Sequence, residues 1–209
     1  MIRVHTKGVM AQSTGAKGGT VLYHSLHLPR SVKVSSAPFT NILRFDGAAL
    51  VYEVNVGPDR YMRHYSFPDR WFRVNCNLDS RAHPVSVEGP IPWAFDCSIC
   101  TPQWVDGRNL FSIHLFIQVL VSRRGRLYYV KDMDLLDEAA AKGWVTGSEL
   151  EGARGGLKDL TSLLESGKFM EFLSGVYPLG LTTTPQHAAL RAKASEMVST
   201  PAGDGEEPG

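Results

Sequence analysis

The sequence predicts an α+β protein in which an antiparallel β-barrel or strongly curved sheet carries C-terminal helices packed against it. Between residues 20 and 131, short runs rich in Val, Ile, Tyr and Phe alternate with turns built from Gly, Pro and Asp. That alternation is typical of antiparallel strands. After Asp132 the apolar side chains recur at helical spacing instead, so the helices follow the sheet along the chain.

The apolar runs give eight candidate strands. They span residues 21–28, 41–45, 49–55, 61–65, 71–77, 94–99, 110–121 and 127–131. Turn signals such as Asp46-Gly47 and Gly57-Pro58-Asp59 lie between them. Many short strands separated by tight turns favour antiparallel order and a barrel or strongly curved sheet.

The helical region begins near Asp134, which can cap a first helix that ends at Gly143. Thr146 or Ser148 opens a longer helix, and a short segment over residues 167–173 follows. The sequence Thr184-Pro185 starts a last helix that runs to about residue 198. The long helix carries one apolar stripe, which we interpret as the face packed against the sheet: Leu150, Leu157, Leu160, Leu163 and Leu164.

Composition divides the chain into a flexible leader over residues 1–19, a single domain over residues 20–199 and a disordered tail over residues 200–209. The leader and the tail are rich in small and polar residues and have little apolar surface to bury. A chain of 209 residues suits one hydrophobic core better than two.

Charge and cysteine content narrow the partners and the compartment. Lys and Arg total 22 against 21 acidic residues, so we expect neither a nucleic-acid nor a membrane partner. No apolar run reaches the length of a membrane span, and no secretory signal is evident. Three cysteines do not make a disulfide framework, which favours a cytoplasmic protein. Cys97 and Cys100 form a CxxC, but strand alternation would send them to opposite faces.

The common nucleotide-binding and hydrolase fingerprints are absent, and four other blocks carry the chemical information. They are Trp71-Phe-Arg-Val-Asn75, Phe95-Asp-Cys-Ser-Ile-Cys-Thr-Pro102, Ser112-Ile-His-Leu-Phe-Ile-Gln-Val119, and the acidic segment over residues 131–143. At these blocks, over about half its length, the sequence resembles the FomD-like family. That family includes nucleoside di- and triphosphate phosphatases and the cytidylyl-phosphonate hydrolase of fosfomycin biosynthesis.

The resemblance implies a compact β-barrel with C-terminal helices and cleavage of a phosphoanhydride with the help of Mg²⁺ or Mn²⁺. Four residues fall where the family pattern has its Asn, its strand Asp and its helix-start acids: Asn75, Asp96, Asp132 and Asp134. His114, Phe116 and Gln118 stand where the family has three alternating aspartates. Hard cations need several anionic oxygens in one place, so this exchange argues against the family's metal site.

The leading hypothesis is therefore a metal-independent small-molecule enzyme of specialised metabolism, of cyclase, isomerase or lyase type, without a cofactor. Strand alternation sends His114, Phe116 and Gln118 to one face. The candidate catalytic residues are His114, Asp96, Asp132 and Lys131, with His114 and Asp96 as acid and base. The candidate substrate-binding residues are Asn75, Phe116, Gln118, Trp93 and Trp104.

Two other functions stay open at this point. A phosphohydrolase could hold one Mg²⁺ or Mn²⁺ with Asp96, Asp132 and Asp134, and His114 could add a further ligand. A non-catalytic module could bind a ligand without converting it. Plainer roles exist as well, since the helix-start acids can be caps, Lys131 can lie at the surface and the tryptophans can belong to the core. A small-molecule partner is expected, and a homodimer is left open.

Overall fold

The computed structural model describes residues 20–28, 31–38, 41–106 and 109–180. In these ranges the chain forms the predicted α+β fold, with a curved sheet and helices packed on it. The predicted leader, last helix and tail lie outside the described residues. None of the helices in these ranges is both long and apolar enough to cross a membrane.

The sheet of the described residues contains ten strands. They are β1 (Thr20–His27), β2 (Ser31–Pro38), β3 (Ile42–Phe45), β4 (Leu50–Gly57), β5 (Arg60–Ser66), β6 (Phe72–Asp79), β7 (Trp93–Cys100), β8 (Trp104–Asp106), β9 (Asn109–Ser122) and β10 (Tyr128–Lys131). Their order is β2-β1-β9-β7-β6-β5-β4-β3, and β8 and β10 also pair with β9.

The sequence did not predict strands β2 and β8, and the pairing of β1 with β9 differs from the expected antiparallel order. β2 is polar and β8 has only three residues, so neither carries a strong strand pattern. β1 runs parallel to β9, whereas the other strand pairs of the described residues are antiparallel. No hairpin joins β1 to β9, because the chain between them builds most of the sheet, and therefore no tight turn fixes their relative direction.

Packing between distant strands shows that the sheet is curled into a half-barrel. Tyr23 of β1 and Leu110 of β9 form one buried cluster with Leu50 and Tyr52 of β4. Because β1 and β4 lie five strands apart in the sheet order, these side chains can meet only if the sheet bends toward them. We call the side of the sheet that carries this cluster the inner face and the opposite side, on which the helices pack, the helix face.

Three helices follow: α1 (Met133–Ala141), α2 (Gly147–Glu165) and α3 (Phe169–Val176). The N-cap of α1 is Asp132 and not Asp134, and its side chain makes no capping bond. Gly143 follows α1 with a φ of 68°, in the left-handed conformation expected after a helix C-cap. Thr146 caps α2 as predicted, since its hydroxyl accepts a hydrogen bond from the Glu149 N–H while the Glu149 carboxylate accepts one from the Thr146 N–H.

The buried stripe of α2 differs in part from the predicted leucine stripe. Its buried residues are Ala153, Gly156, Leu160 and Leu164, whereas Leu150, Leu157 and Leu163 are only partly buried. The difference has a steric cause. Trp71 lies against Gly152 and Gly156, and it occupies the space that larger side chains on this face of the helix would need.

Leu160 and Leu163 should therefore respond differently to truncation. Leu160→Ala is expected to lower the free energy of unfolding by about 2–5 kcal/mol, because Leu160 is fully buried in the helix-face core. Leu163→Ala should cost less, since Leu163 is partly exposed. Urea denaturation of both variants measures the difference, and equal losses would contradict this orientation of α2.

Side chains of the sheet, among them a buried arginine that is ion-paired within the sheet, bind the end of α3. Arg63 of β5 donates from Nε to the Glu53 carboxylate at 2.8 Å and from Nη1 to the Pro178 carbonyl at 2.8 Å. The Tyr65 hydroxyl donates to the Tyr177 carbonyl at 3.1 Å, and Arg44 Nη1 donates to the Val176 carbonyl at 2.7 Å. The three consecutive carbonyls of residues 176–178, at the end of α3 and directly after it, are thus held by side chains of β3 and β5.

Candidate functional site

Polar side chains of adjacent strands meet on the inner face. One row crosses β4 to β7 and contains Tyr52, His64, Asn75 and Asp96 in register. The next row crosses β6, β7, β9 and β10 and contains Arg73, Ser98, Gln118 and Lys131. Beyond it, Cys100 of β7 lies opposite His114 of β9, which in turn lies beside His27 of β1.

Asp96 is the acidic side chain within these rows. Its Oδ1 atom is buried and has no hydrogen-bond partner. Burial raises the pKa of Asp96, and the positive charges of Arg73 and Lys131 oppose the shift without cancelling it. A carboxylate with a raised pKa is a stronger base than an ordinary aspartate and is a candidate for proton transfer.

Arg73 lies next to Asp96 on the inner face and was not among the predicted site residues. Its Nη1 donates to the Tyr23 hydroxyl at 3.2 Å, and its guanidinium lies 5.5 Å from the centre of the Tyr23 ring. The Tyr23 hydroxyl also contacts Ser112 Oγ at 2.6 Å. The buried Nε of Arg73 has no partner. The sequence could have pointed to Arg73, because the apolar residues Phe72 and Val74 alternate with Arg73 and Asn75. That alternation places Arg73 and Asn75 on the same face of the strand.

A bulge in β9 changes the predicted face of Phe116. Ser98 pairs with Gln118 and Cys100 pairs with His114, so β9 has three residues where β7 has only Ile99. The extra residues of β9 form a bulge in which Phe116 has a left-handed backbone conformation, with a φ of 67°. Its side chain packs against the helix-face core, and the strict alternation expected over residues 114–118 is therefore wrong at Phe116. His114 and Gln118 do share the inner face.

The bulge also sets the protonation of His114. The Phe116 N–H donates to His114 Nδ1 at 3.1 Å, so the proton of the neutral ring lies on Nε2. The pKa of His114 is lowered to about 3 by burial and then by the charges of Arg73, His27 and Lys33. The ring stacks on His27 with 4.8 Å between centroids. His114 is thus a neutral hydrogen-bond donor at Nε2, which does not suit the role of a base.

His64 and Asn75 form a fixed pair beside Asp96. His64 Nδ1 lies 2.8 Å from Asn75 Oδ1, and the ring stacks on Tyr52 with 4.5 Å between centroids. Burial lowers the pKa of His64 to about 4, although the bond to Asn75 opposes the shift. The neutral ring therefore donates from Nδ1 to Asn75, which fixes the orientation of the Asn75 amide in the strand next to Asp96.

Acid should destabilise the protein through His64. Because its folded pKa lies below the ordinary 6.5, the unfolded chain binds the extra proton first as the pH falls from 6.5 to about 4. We expect the stability to drop by about 1–2 kcal/mol between pH 7 and pH 5 through this residue. Denaturation of the wild type and of His64→Gln at both pH values isolates the contribution, and an equal pH dependence of the two proteins would contradict it.

Lys131 lies in the row of Gln118 and pairs with Asp132 at 3.5 Å. Three other predicted site residues lie outside the rows, and the first of them, Asp134, is exposed on α1. Trp93 begins β7, seven residues or about 23 Å from the Cys100 end of the strand. Trp104 stacks on Phe111 with 5.5 Å between centroids, and Phe111 alternates onto the helix face.

The carboxylates that a divalent cation would need are not gathered. Asp96 is partly buried in the sheet, Asp132 is paired with Lys131, and Asp134 is an exposed residue of α1. Among the described residues no group of three or more His, Cys, Asp or Glu side chains is placed to hold a metal ion. The donor set therefore does not fit Mg²⁺ or Mn²⁺, which prefer several oxygen ligands.

Comparison with solved structures identifies the architecture. The half-barrel matches the complex of FomD with CDP at a TM-score of 0.56 and 13% identity, over 74% of this chain and 88% of that chain. The chain has the FomD-like fold. It also matches the phosphatase SC4828, solved with the non-hydrolyzable nucleotide GPCP, at a TM-score of 0.55 and 10% identity, over 71% of this chain and 82% of that chain.

No protein-family model and no curated protein sequence matches the chain. The FomD-like architecture that the sequence blocks implied is confirmed at the level of the fold.

Proposed function

We propose that this FomD-like protein is a metal-independent enzyme that moves a proton on a small organic substrate, in a reaction of cyclase, isomerase or lyase type. The observation that supports this most directly is Asp96. Its carboxyl group has a raised pKa, a buried oxygen without a partner and a place on the inner face. A carboxylate whose pKa is raised is a stronger base, and it can both take a proton and return it.

In the reaction that we propose, the Asp96 carboxylate removes a proton from a carbon next to a carbonyl group. The C–H bond breaks, its electron pair moves into the carbonyl system, and the negative charge develops on the carbonyl oxygen. Arg73 and the Nε2–H of His114 are donors that can stabilise this charge. Return of the proton to another atom of the substrate completes an isomerisation, and attack by the carbanion or loss of a leaving group gives a cyclisation or an elimination.

The register supports this division of roles. Arg73 pairs with Ser98, which lies midway on β7 between Asp96 and Cys100, the partner of His114. Cys100 lies four positions after Asp96, so the positions of the base and the second donor are about 13 Å apart along the sheet. A small substrate over Ser98 would have Asp96 at one end and His114 at the other. Gln118 lies in the row of Arg73 and can orient a substrate carbonyl.

A phosphohydrolase is the second candidate, because FomD and SC4828 were solved with CDP and with a nucleotide analogue. Under this alternative Asp96, Asp132 and Asp134 would hold one divalent cation. Among the described residues these three carboxylates are not grouped as metal ligands, which weighs against it.

Two parallel assays separate these functions. The protein is dialysed against EDTA and incubated in D₂O with a panel of cyclic and unsaturated carbonyl compounds, and mass spectrometry measures deuterium incorporation. Phosphate release from CDP and GDP is measured with and without Mn²⁺. We expect chelation-resistant deuterium incorporation and at most feeble phosphate release. Phosphate release that chelation abolishes and Mn²⁺ restores would overturn the proposal, and absence of both reactions would favour the non-catalytic module.

A further inference from the structure

Two arginines on adjacent strands are buried in different ways. Arg63 of β5 lies on the helix face, where it forms an ion pair with Glu53 and donates to the Pro178 carbonyl. Arg73 of β6 lies on the inner face, where it contacts the hydroxyl and the ring of Tyr23. Within the described ranges no carboxylate lies within ion-pairing distance of Arg73.

An unpaired charge in such a place is costly. Arg73 as a whole is partly buried, but its Nε is fully buried, and a donor removed from water without an acceptor is costly. The neighbouring groups do not complete this arginine. Arg73 and Asp96 form no ion pair, His114 is neutral at neutral pH, and the nearby Lys33 and Lys131 add further positive charge.

The unpartnered side of the Arg73 guanidinium indicates which ligand group would bind there. Nη1 is committed to Tyr23, whereas Nε is free. The edge of a guanidinium that contains Nε matches a planar pair of oxygens and is commonly occupied by a carboxylate or phosphate. Ser98 and Gln118 belong to the same row as Arg73 and add a hydroxyl and an amide to it.

We propose that the inner face is an oxyanion-binding site in which the Nε edge of Arg73 receives a carboxylate or phosphate group of the ligand. The ligand of this protein is accordingly an anionic small molecule. The inference rests on the proposed function only where it assigns this oxyanion to the substrate of the enzyme. Binding at Arg73 can be measured without turnover.

The test uses acetate and inorganic phosphate as probes, against chloride at equal ionic strength. Thermal unfolding is followed for the wild type, Arg73→Met and the control Arg70→Met, which removes an exposed arginine paired with Asp69 at 3.9 Å. We expect at least one oxyanion to raise the midpoint of the wild type and of Arg70→Met by several degrees and to leave Arg73→Met unchanged. Equal responses in all three proteins, or none, would overturn the proposal.

Arg73→Lys covers the case in which the Met variant does not fold. It keeps the charge but loses the planar edge, so the apparent Kd for the preferred oxyanion, measured by calorimetry, should rise by about tenfold or more. An unchanged Kd in Arg73→Lys would contradict binding at the Nε edge. A preference for acetate identifies a carboxylate ligand, and a preference for phosphate identifies a phosphorylated one.

Asp96→Asn separates this inference from the catalytic proposal. Removing a neighbouring negative charge should leave oxyanion binding at Arg73 equal or tighter, whether or not Asp96 is a catalytic residue. Loss of oxyanion binding in Asp96→Asn would place the anion elsewhere and overturn the assignment to Arg73.

Discussion

Asp96→Asn is expected to lower turnover by about 10²–10⁴, the usual contribution of a positioned acid or base, and to leave the fold intact. The amide has nearly the same shape as the carboxyl group but cannot accept the proton. Because the base must be ionised, wild-type activity should fall as the pH drops through the raised pKa of Asp96. Measurement of kcat and kcat/KM against pH in both proteins tests the loss of turnover in Asp96→Asn. It also tests whether Asp96 causes the fall in wild-type activity at low pH.

The control for this substitution is Asp134→Asn, which removes an exposed carboxylate of α1. It should leave kcat and its pH profile unchanged. If Asp96→Asn were as active as the wild type, Asp96 would be no more than a buried residue of the sheet, and the proton-transfer proposal would be lost.

Gly156→Ala is expected to be the most damaging small substitution in the helices. A Cβ atom at Gly156 would lie 2.4 Å from Trp71 Cβ and 2.8 Å from the Trp71 carbonyl oxygen. Because the obstacle includes backbone, relief requires α2 to move away from the sheet. We expect the free energy of unfolding to fall by about 3 kcal/mol, near the upper end of ordinary overpacking.

Gly155→Ala is the matched control, since it lies in the same helix and a Cβ atom there meets nothing within 4 Å. It should stabilise the protein by up to about 1 kcal/mol, because alanine is the better helix former. Urea denaturation compares the two variants. Similar effects of both substitutions would show that Trp71 does not pack against Gly156.

The general architecture was predictable because strand and helix periodicities are local properties of the sequence. The eight strongest strands, the Thr146 cap and the Gly143 terminator all depend on residues within a few positions of one another. The parallel pairing of β1 with β9 was not predictable in this way, because it depends on how the rest of the sheet closes. β2 was missed because a polar strand has no apolar pattern to find.

The candidate site was predictable only in part. Asp96, His114, Gln118 and Asn75 do share the inner face, since their strands alternate regularly on either side of the bulge. A single positive φ at Phe116 moves that ring to the core and supplies the N–H that fixes the His114 tautomer. No sequence pattern marks a non-glycine residue for this conformation.

For Arg73, the sequence indicated the position in the strand but not the environment of the side chain. Its position beside Asn75 was visible in the sequence, but an arginine that alternates with apolar residues usually lies on a solvated face. Only the curl of the half-barrel, which brings Tyr23 of β1 over β6, reveals that its Nε is buried without a partner.

The carbonyls of residues 176–178 have a consequence for synthesis on the ribosome. Arg63 and Tyr65 emerge from the exit tunnel more than 100 residues before the carbonyl groups that they bond, which are 115 and 112 positions later in the chain. Until that segment has been made, the nascent sheet carries a guanidinium whose burial is incompletely compensated. Premature closure of this side of the sheet is therefore disfavoured, and the growing polypeptide should reach its final packing only after α3 has left the tunnel.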